Sequence, residues 1–168
     1  MLSAIIKVTK HSLCLKNGIE VDVSLLKAKI SAYLELQDRI IIKLWTAVDA
    51  KKEQAGYDLC RNIFCYSKED GSLIWQVEQA YHPDTREPLD EVFKNLKLYI
   101  KQDDGSYERF SDLKEYPWDD VVAGNSYHKS FRVGVDRLSS MTWSQFPQEY
   151  WIDYETGKLE WFAFHQKI

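Results

Sequence analysis

The sequence predicts an all-β protein made of antiparallel strands. Three observations support this: apolar and polar residues alternate along several segments, glycine-containing polar turns separate these segments, and one turn pattern recurs along the chain. The 168 residues are 45% hydrophobic with seven Gly and four Pro, which is typical of one compact domain over residues 1–168. We expect a single antiparallel meander, or a partly closed propeller-like sheet, of roughly a dozen short strands and at most two short helices.

The first elements follow from local patterns. Residues 5–8 form a short apolar run that predicts a strand. Asn17-Gly18 separates two β-rich runs and readily supplies the two positive φ angles of a type I′ hairpin. Residues 28–37 alternate between apolar and polar side chains, which predicts a half-buried strand, and residues 39–45 predict a central strand.

Two further segments favour other conformations. Residues 49–56 are polar and poor in β-branched side chains, so we expect a loop or one helical turn. After Pro88, the spacing of Leu89, Val92, Phe93 and Leu96 predicts a short helix, since proline is favoured at the first helical position. Alternation resumes after residue 96.

A repeated hairpin is the clearest architectural signal. Residues 65–75 align with residues 152–161 at the pattern Gly-x-Leu-x-Trp, and residues 99–110 repeat it more loosely. Each copy predicts two antiparallel strands joined by a turn in which glycine takes the left-handed conformation. We expect Trp75 and Trp161 to pack in the core, with ligand stacking as the secondary interpretation.

Residues 61–66, the hairpin at 70–78 and the segment 151–159 resemble a widespread family of small bacterial proteins of uncharacterised activity, with hairpins similar to those of quinoprotein-like propeller blades. The resemblance covers most of the chain, and residues 105–148 depart from it most. It implies strand and turn geometry and supplies no catalytic residue. It also implies a bacterial protein of a kind that can accompany a toxin gene.

Catalytic and metal motifs are absent from the sequence. His11, His82, His128 and His165 are scattered singly, without a Cys-x-x-Cys or His-Glu-x-x-His pattern, and no glycine-rich phosphate loop is found. We therefore expect no metal, no cofactor and no enzymatic activity. A hydrolase that uses His82 or His128 as its base stays a third alternative.

Charge and cysteine content limit the partners and the compartment. The chain has 22 Lys+Arg and 26 Asp+Glu, a net charge of −4, which disfavours nucleic acid as the partner. No apolar run is long enough to cross a membrane, and the first residues do not form a secretory signal. Three cysteines, an odd number, favour reduced thiols, so we expect a cytoplasmic protein without a membrane partner. The oligomeric state stays open.

Acidic residues interleave with aromatic ones between residues 103 and 120, which is typical of a surface that steers and anchors a basic protein. The simpler interpretation is a solvated loop whose aromatic side chains fold back onto the sheet. The leading hypothesis is a non-catalytic immunity-type protein that neutralises a basic toxin domain. The alternative is a small-ligand or carbohydrate-binding module that stacks its ligand on Trp118, Trp143 or Trp151. The predicted partner-binding residues are Asp103, Asp104, Glu108, Asp112, Glu115, Tyr116, Trp118, Asp119 and Asp120.

Overall fold

The computed structural model describes residues 3–45, 56–89, 92–112, 135–142 and 147–164. These residues confirm the all-β class, with no helix of seven or more residues among them. They include two 3-10 turns, at Ser24–Leu26 and Leu59–Arg61. No helix in these ranges has the length and apolar character to cross a membrane. The strands are β1 (Ile5–Val8), β2 (Ser12–Leu15), β3 (Glu20–Asp22), β4 (Lys29–Glu35), β5 (Arg39–Trp45), β6 (Ile63–Ser67), β7 (Leu73–Gln76), β8 (Phe93–Lys101), β9 (Tyr107–Asp112), β10 (Val135–Thr142), β11 (Gln148–Ile152) and β12 (Leu159–Phe164).

These strands form three antiparallel sheets instead of one continuous meander, and none of the three is closed into a barrel. The N-terminal sheet has the order β1-β2-β3, the central sheet β4-β5-β6-β7, and the large sheet β12-β11-β10-β8-β9. Residues 46–55, which include most of the loop expected at 49–56, lie outside the described ranges.

The central sheet is buried on both faces. One core, which includes Leu13, Ile42 and Phe64, lies between the N-terminal and central sheets. The other core, which includes Ile41 and Leu138, lies between the central and large sheets. Because neighbouring residues of a strand point to opposite faces, β5 contributes to both cores.

The segment at residues 28–37 forms a strand as predicted, but β4 is buried on both faces instead of half-buried. A register shift at Ser31 pairs Ile30 with Leu44 and Ala32 with Lys43. This β-bulge reverses the alternation, so that Ile30 and Leu34 enter different cores although both have even numbers. Because β4 lies between the two cores, the polar residues Ser31 and Glu35 are also buried.

The predicted hairpins form, and each has glycine at a positive φ: Gly18, Gly71, Gly105 and Gly157. The first turn differs from prediction, because Asn17 is not among the described residues with positive φ. Backbone hydrogen bonds from Gly18 N to Leu15 O and from Leu15 N to Ile19 O close a three-residue loop instead of a two-residue type I′ turn. The loops at Gly71 and Gly157 contain four residues, which explains why their sequences align better with each other than with residues 99–110.

The helix predicted after Pro88 is wrong for its second half, because Phe93 and Leu96 lie in β8. Ser139 pairs with Lys97 and Met141 with Lys94, so β8 contains one extra residue at this point. A bulge of this kind places residues three apart on the same face of a strand. Phe93 and Leu96 are accordingly both buried, and their spacing imitates that of a helix.

Trp75 joins the central sheet to the large sheet. It is buried as predicted, and its Nε1 donates a hydrogen bond to the Tyr154 carbonyl at 2.9 Å. A Cβ atom added to Gly157 would lie 2.6 Å from Cε3 of Trp75, so the indole packs directly on the glycine backbone. The matching tryptophan, Trp161, is 42% exposed because β12 is the edge strand of its sheet, and the prediction that it is in the core is wrong.

The carboxylate of Glu35 fixes the start of β1. It is fully buried and accepts hydrogen bonds from the Ala4 and Ile5 backbone amides and from the Ser3 hydroxyl at 3.0–3.2 Å. Lys68 Nζ lies 3.4 Å from the same carboxylate. A buried charge requires such partners, and these contacts join the N-terminal sheet to the central sheet.

Cys60 and Cys65 are buried, Cys14 is half-buried, and all three are free thiols. Burial raises the pKa of the Cys65 thiol to about 12. Because the thiolate is the reactive form, Cys65 is a packing residue and not a nucleophile.

Candidate functional site

The β8–β9 hairpin presents the first part of the predicted acidic surface. Asp103 and Asp104 lie in its turn and Glu108 lies on β9, and all three side chains are exposed. A backbone hydrogen bond from Gln102 N to Ser106 O closes the turn, with Gly105 at a φ of 87°. The acids therefore project from a defined hairpin.

Asp104 also stabilises this turn. Its carboxylate accepts hydrogen bonds from the hydroxyl and the backbone amide of Ser106, and these bonds lower the pKa of Asp104. Asp70 makes the same two contacts with Ser72 in the β6–β7 hairpin. The repeated Asp-Gly-Ser sequence thus has a structural role, which leaves Asp103 and Glu108 as the acids available for a partner.

A row of aromatic side chains lies next to the hairpin, on the outer face of the large sheet. The row consists of Tyr99, Tyr107, Trp151 and Phe162, from four of the five strands. Tyr99 and Trp151 alternate along their strands with buried residues of the inner core, which places them on the opposite face. The Trp151 ring centroid lies 4.8 Å from Tyr99, 5.5 Å from Tyr107 and 4.2 Å from Phe162.

Arg137 completes this aromatic row from the remaining strand, β10. Its Cζ lies 4.7 Å from the Tyr107 ring centroid and 5.3 Å from that of Trp151. Both distances are within the range of cation–π attraction. The five strands thus supply one residue each to a packed platform, and Tyr107 connects this platform to the acidic hairpin.

The described ranges include four of the nine predicted partner-binding residues. Asp103, Asp104 and Glu108 lie together on the hairpin, and Asp112 ends β9. The other predicted residues lie outside the described ranges: Glu115, Tyr116, Trp118, Asp119 and Asp120. The same holds for Trp143 and His128.

No protein-family model, curated protein or solved structure matches this chain.

Sequence reasoning missed most of the aromatic row. The sequence singles out Trp151 only as a stacking surface for the alternative ligand, whereas Tyr99, Arg137 and Phe162 carry no signal. They are distant in sequence and meet only through the pairing of β8, β10, β11 and β12. Alternation indicates which face a residue occupies, but not which strands are neighbours.

The described residues contain few groups arranged for catalysis. Nδ1 of His82 accepts hydrogen bonds from the backbone amides of Asp84 and Thr85, so this imidazole caps its own loop. Across the described ranges, no group of three or more His, Cys, Asp or Glu side chains could hold a metal ion. The hairpin can present negative charge to a partner. The aromatic row of the same sheet can present a packed apolar surface.

Proposed function

We propose that this protein is a non-catalytic protein-binding module of the immunity type, which neutralises a basic toxin domain in the bacterial cytoplasm. The observation that carries this proposal is that the hairpin at the β9 edge of the large sheet carries exposed Asp103 and Glu108 together with Tyr107, whose ring packs on the aromatic row. Exposed acids accelerate the encounter with a basic protein, and aromatic side chains supply most of the binding energy at an interface. The three free thiols are in keeping with a reducing compartment.

The close packing of the aromatic row supports protein binding over sugar stacking at Trp151. Phe162 stacks on the Trp151 ring with an interplanar angle of 18°, and the Arg137 guanidinium also lies over this ring. A sugar that stacks on this ring would compete with these neighbours. A partner protein can instead contact the edges of the packed row without rearranging it.

The first experiment is capture of partners from a lysate of the source bacterium with tagged protein, at low and at physiological salt. We expect a stoichiometric basic protein whose expression alone stops growth and whose toxicity is relieved by co-expression of this chain. Recovery of the bare protein at both salt concentrations, or of a partner that is harmless when expressed, would contradict the proposal.

Charge reversal tests the acidic hairpin. The double variant Asp103→Lys/Glu108→Lys should slow association with the captured partner by about tenfold at low salt, and the effect should shrink as salt screens the charges. Asp104 is left unchanged because it holds the turn. Stopped-flow or surface-plasmon measurements give the association rate.

The matched control is Glu20→Lys/Glu69→Lys, which changes the net charge equally at two exposed acids outside the β8–β9 hairpin. Equal association rates for the two double variants would show that only net charge matters, and the hairpin would lose its assignment.

Tyr107→Ala should act differently, because losing an aromatic anchor raises the dissociation rate by about tenfold while leaving association nearly unchanged.

A further inference from the structure

A cleft lies beside β12, which is one edge strand of the large sheet. The acidic hairpin lies at the opposite edge, which is β9. This cleft has a volume of about 840 Å³, within the range of small-molecule sites. The residues that define its chemistry come from the 3-10 turn before β6, the segment between β7 and β8, and the β11–β12 hairpin. They are Asp58, Arg61, Glu78, Tyr81, Arg86 and Trp161.

Two guanidinium groups line the cleft, and no carboxylate of the described residues forms an ion pair with either. Arg61 is held in place by a hydrogen bond from its Nε to the Val77 carbonyl at 2.7 Å. Its Nη2 also donates to the Gln76 carbonyl at 3.5 Å, so these two bonds use two of its five N–H donors. Planar guanidinium donors match the oxygen atoms of carboxylates and phosphates.

Arg86 occupies a backbone conformation that normally favours glycine, with a φ of 62°. Its backbone amide closes the loop by bonding to the His82 carbonyl at 2.9 Å. A side chain at such a position has a conformational cost that glycine would avoid, and such costs concentrate at functional sites. Here the side chain in question is a cation that faces the cleft.

The two acids of the cleft are already bound to backbone amides. Asp58 Oδ1 accepts a bond from Cys60 N at 3.1 Å, and Glu78 Oε2 accepts one from Leu159 N at 3.0 Å. These contacts engage one oxygen of each carboxylate and fix the walls of the cleft. The guanidinium groups remain the polar groups best placed to receive a ligand.

Two exposed aromatic rings complete the cleft. Trp161 is 42% exposed and Tyr81 is 47% exposed. The Trp161 indole is held by a hydrogen bond from Nε1 to Gln148 Oε1 at 2.8 Å, so its orientation is set before any ligand arrives. An aromatic surface fixed in this way binds flat rings with little loss of conformational entropy.

We propose that this cleft binds a small ligand in which an anionic group is joined to a flat aromatic ring. Arg61 and Arg86 hold the anion, and Trp161 and Tyr81 contact the ring. This site is separate from the proposed protein-binding surface and does not depend on it.

The test uses four probes with the whole protein: phenyl phosphate, benzoate, inorganic phosphate and phenol. Binding is followed by calorimetry and by the NMR signal of the Trp161 indole N–H, which Trp161→Phe identifies. We expect phenyl phosphate or benzoate to bind saturably and at least about tenfold more tightly than inorganic phosphate and phenol. Comparing the first two probes distinguishes a phosphoryl ligand from a carboxylate.

Arg86→Gly separates binding from folding, because glycine relieves the backbone strain while the guanidinium is lost. We expect this variant to fold at least as stably as the parent and to bind the preferred probe about tenfold more weakly. Lys27→Gly is the matched control, because Lys27 is also an exposed cation at a positive φ, 54°, and lies outside the cleft. Its binding should equal that of the parent.

Three results would overturn the proposal. One is the absence of saturable binding of both aromatic anions up to about 10 mM, near the weak limit for fragment-sized ligands. Another is equal affinity for inorganic phosphate and phenyl phosphate. The third is unchanged affinity in Arg86→Gly.

Discussion

Gly157 meets two requirements at a single backbone position. Its φ of 74° is unfavourable for any residue with a side chain, and its α-carbon faces the ring of Trp75. The sequence pattern predicted the first requirement, because glycine commonly takes the left-handed position of such turns. It also predicted that Trp75 is buried. The contact between the two residues was not predictable, because they belong to different hairpins.

Gly157→Ala should therefore lower the free energy of unfolding by roughly 2–4 kcal/mol, from backbone strain plus displacement of the indole. Urea denaturation measures the loss. Gly105→Ala is the control, since Gly105 has a φ of 87° but nothing within 4 Å of an added Cβ, and should cost about 1 kcal/mol. Equal losses at the two positions would show that the contact with Trp75 contributes nothing.

Among the elements, the strands and hairpins were predictable and the irregular strands were not. Alternation located β4, short apolar runs located β1 and β5, and the turn patterns located the hairpins, because all these signals are local in sequence. Two of the errors in the strands fall at bulges. The bulge in β4 interrupts the alternation of a strand that is buried on both faces and was predicted to be half-buried. The bulge in β8 places buried residues three apart, which is the spacing of a helix.

Asn62 joins elements of two sheets. It is 1% exposed, and its side-chain amide donates to the carbonyls of Leu44 and Phe93 while its oxygen accepts from Phe93 N at 2.9 Å. It thus connects the end of β5 to the start of β8. Asparagine can make these contacts because it carries both donors and an acceptor.

Asn62→Ala should cost about 2–4 kcal/mol of unfolding free energy, since it leaves buried backbone groups without partners. The measurement is thermal or urea denaturation. Asn17→Ala serves as the comparison, because Asn17 also donates to a carbonyl, that of Lys68 at 3.0 Å, but is exposed. We expect that change to cost less than about 1 kcal/mol. A small loss at Asn62 would mean that the two sheets are held together without it.

At the scale of the whole molecule, the all-β class was predictable and the division into three sheets was not. The division depends on which distant strands pair, and a local pattern carries no information about this. The same limit applies to the candidate site. The acids of the β8–β9 hairpin were found because they are adjacent in sequence, whereas the aromatic row and the β12 cleft require the assembled sheets.

The shared central sheet predicts one cooperative unfolding transition. Ile41 and Ile42 are both fully buried, are adjacent on β5, and belong to different cores. Ile41→Val and Ile42→Val should each lower the unfolding free energy by about 0.5–1.5 kcal/mol with an unchanged dependence on urea. Two separate transitions, or a loss confined to one of two probes, would show that the layers unfold independently.

The packing of Trp75 on the β11–β12 turn also constrains how the protein is made on the ribosome. The carbonyl that Trp75 bonds belongs to a residue synthesised 79 positions later. At about 5–20 residues per second, Trp75 waits roughly 4–16 seconds for the β11–β12 turn on which it packs. During that interval the apolar side chains of Ile41, Ile63 and Trp75 are incompletely covered in the nascent chain. Chaperones that recognise exposed apolar side chains can bind the chain at this stage.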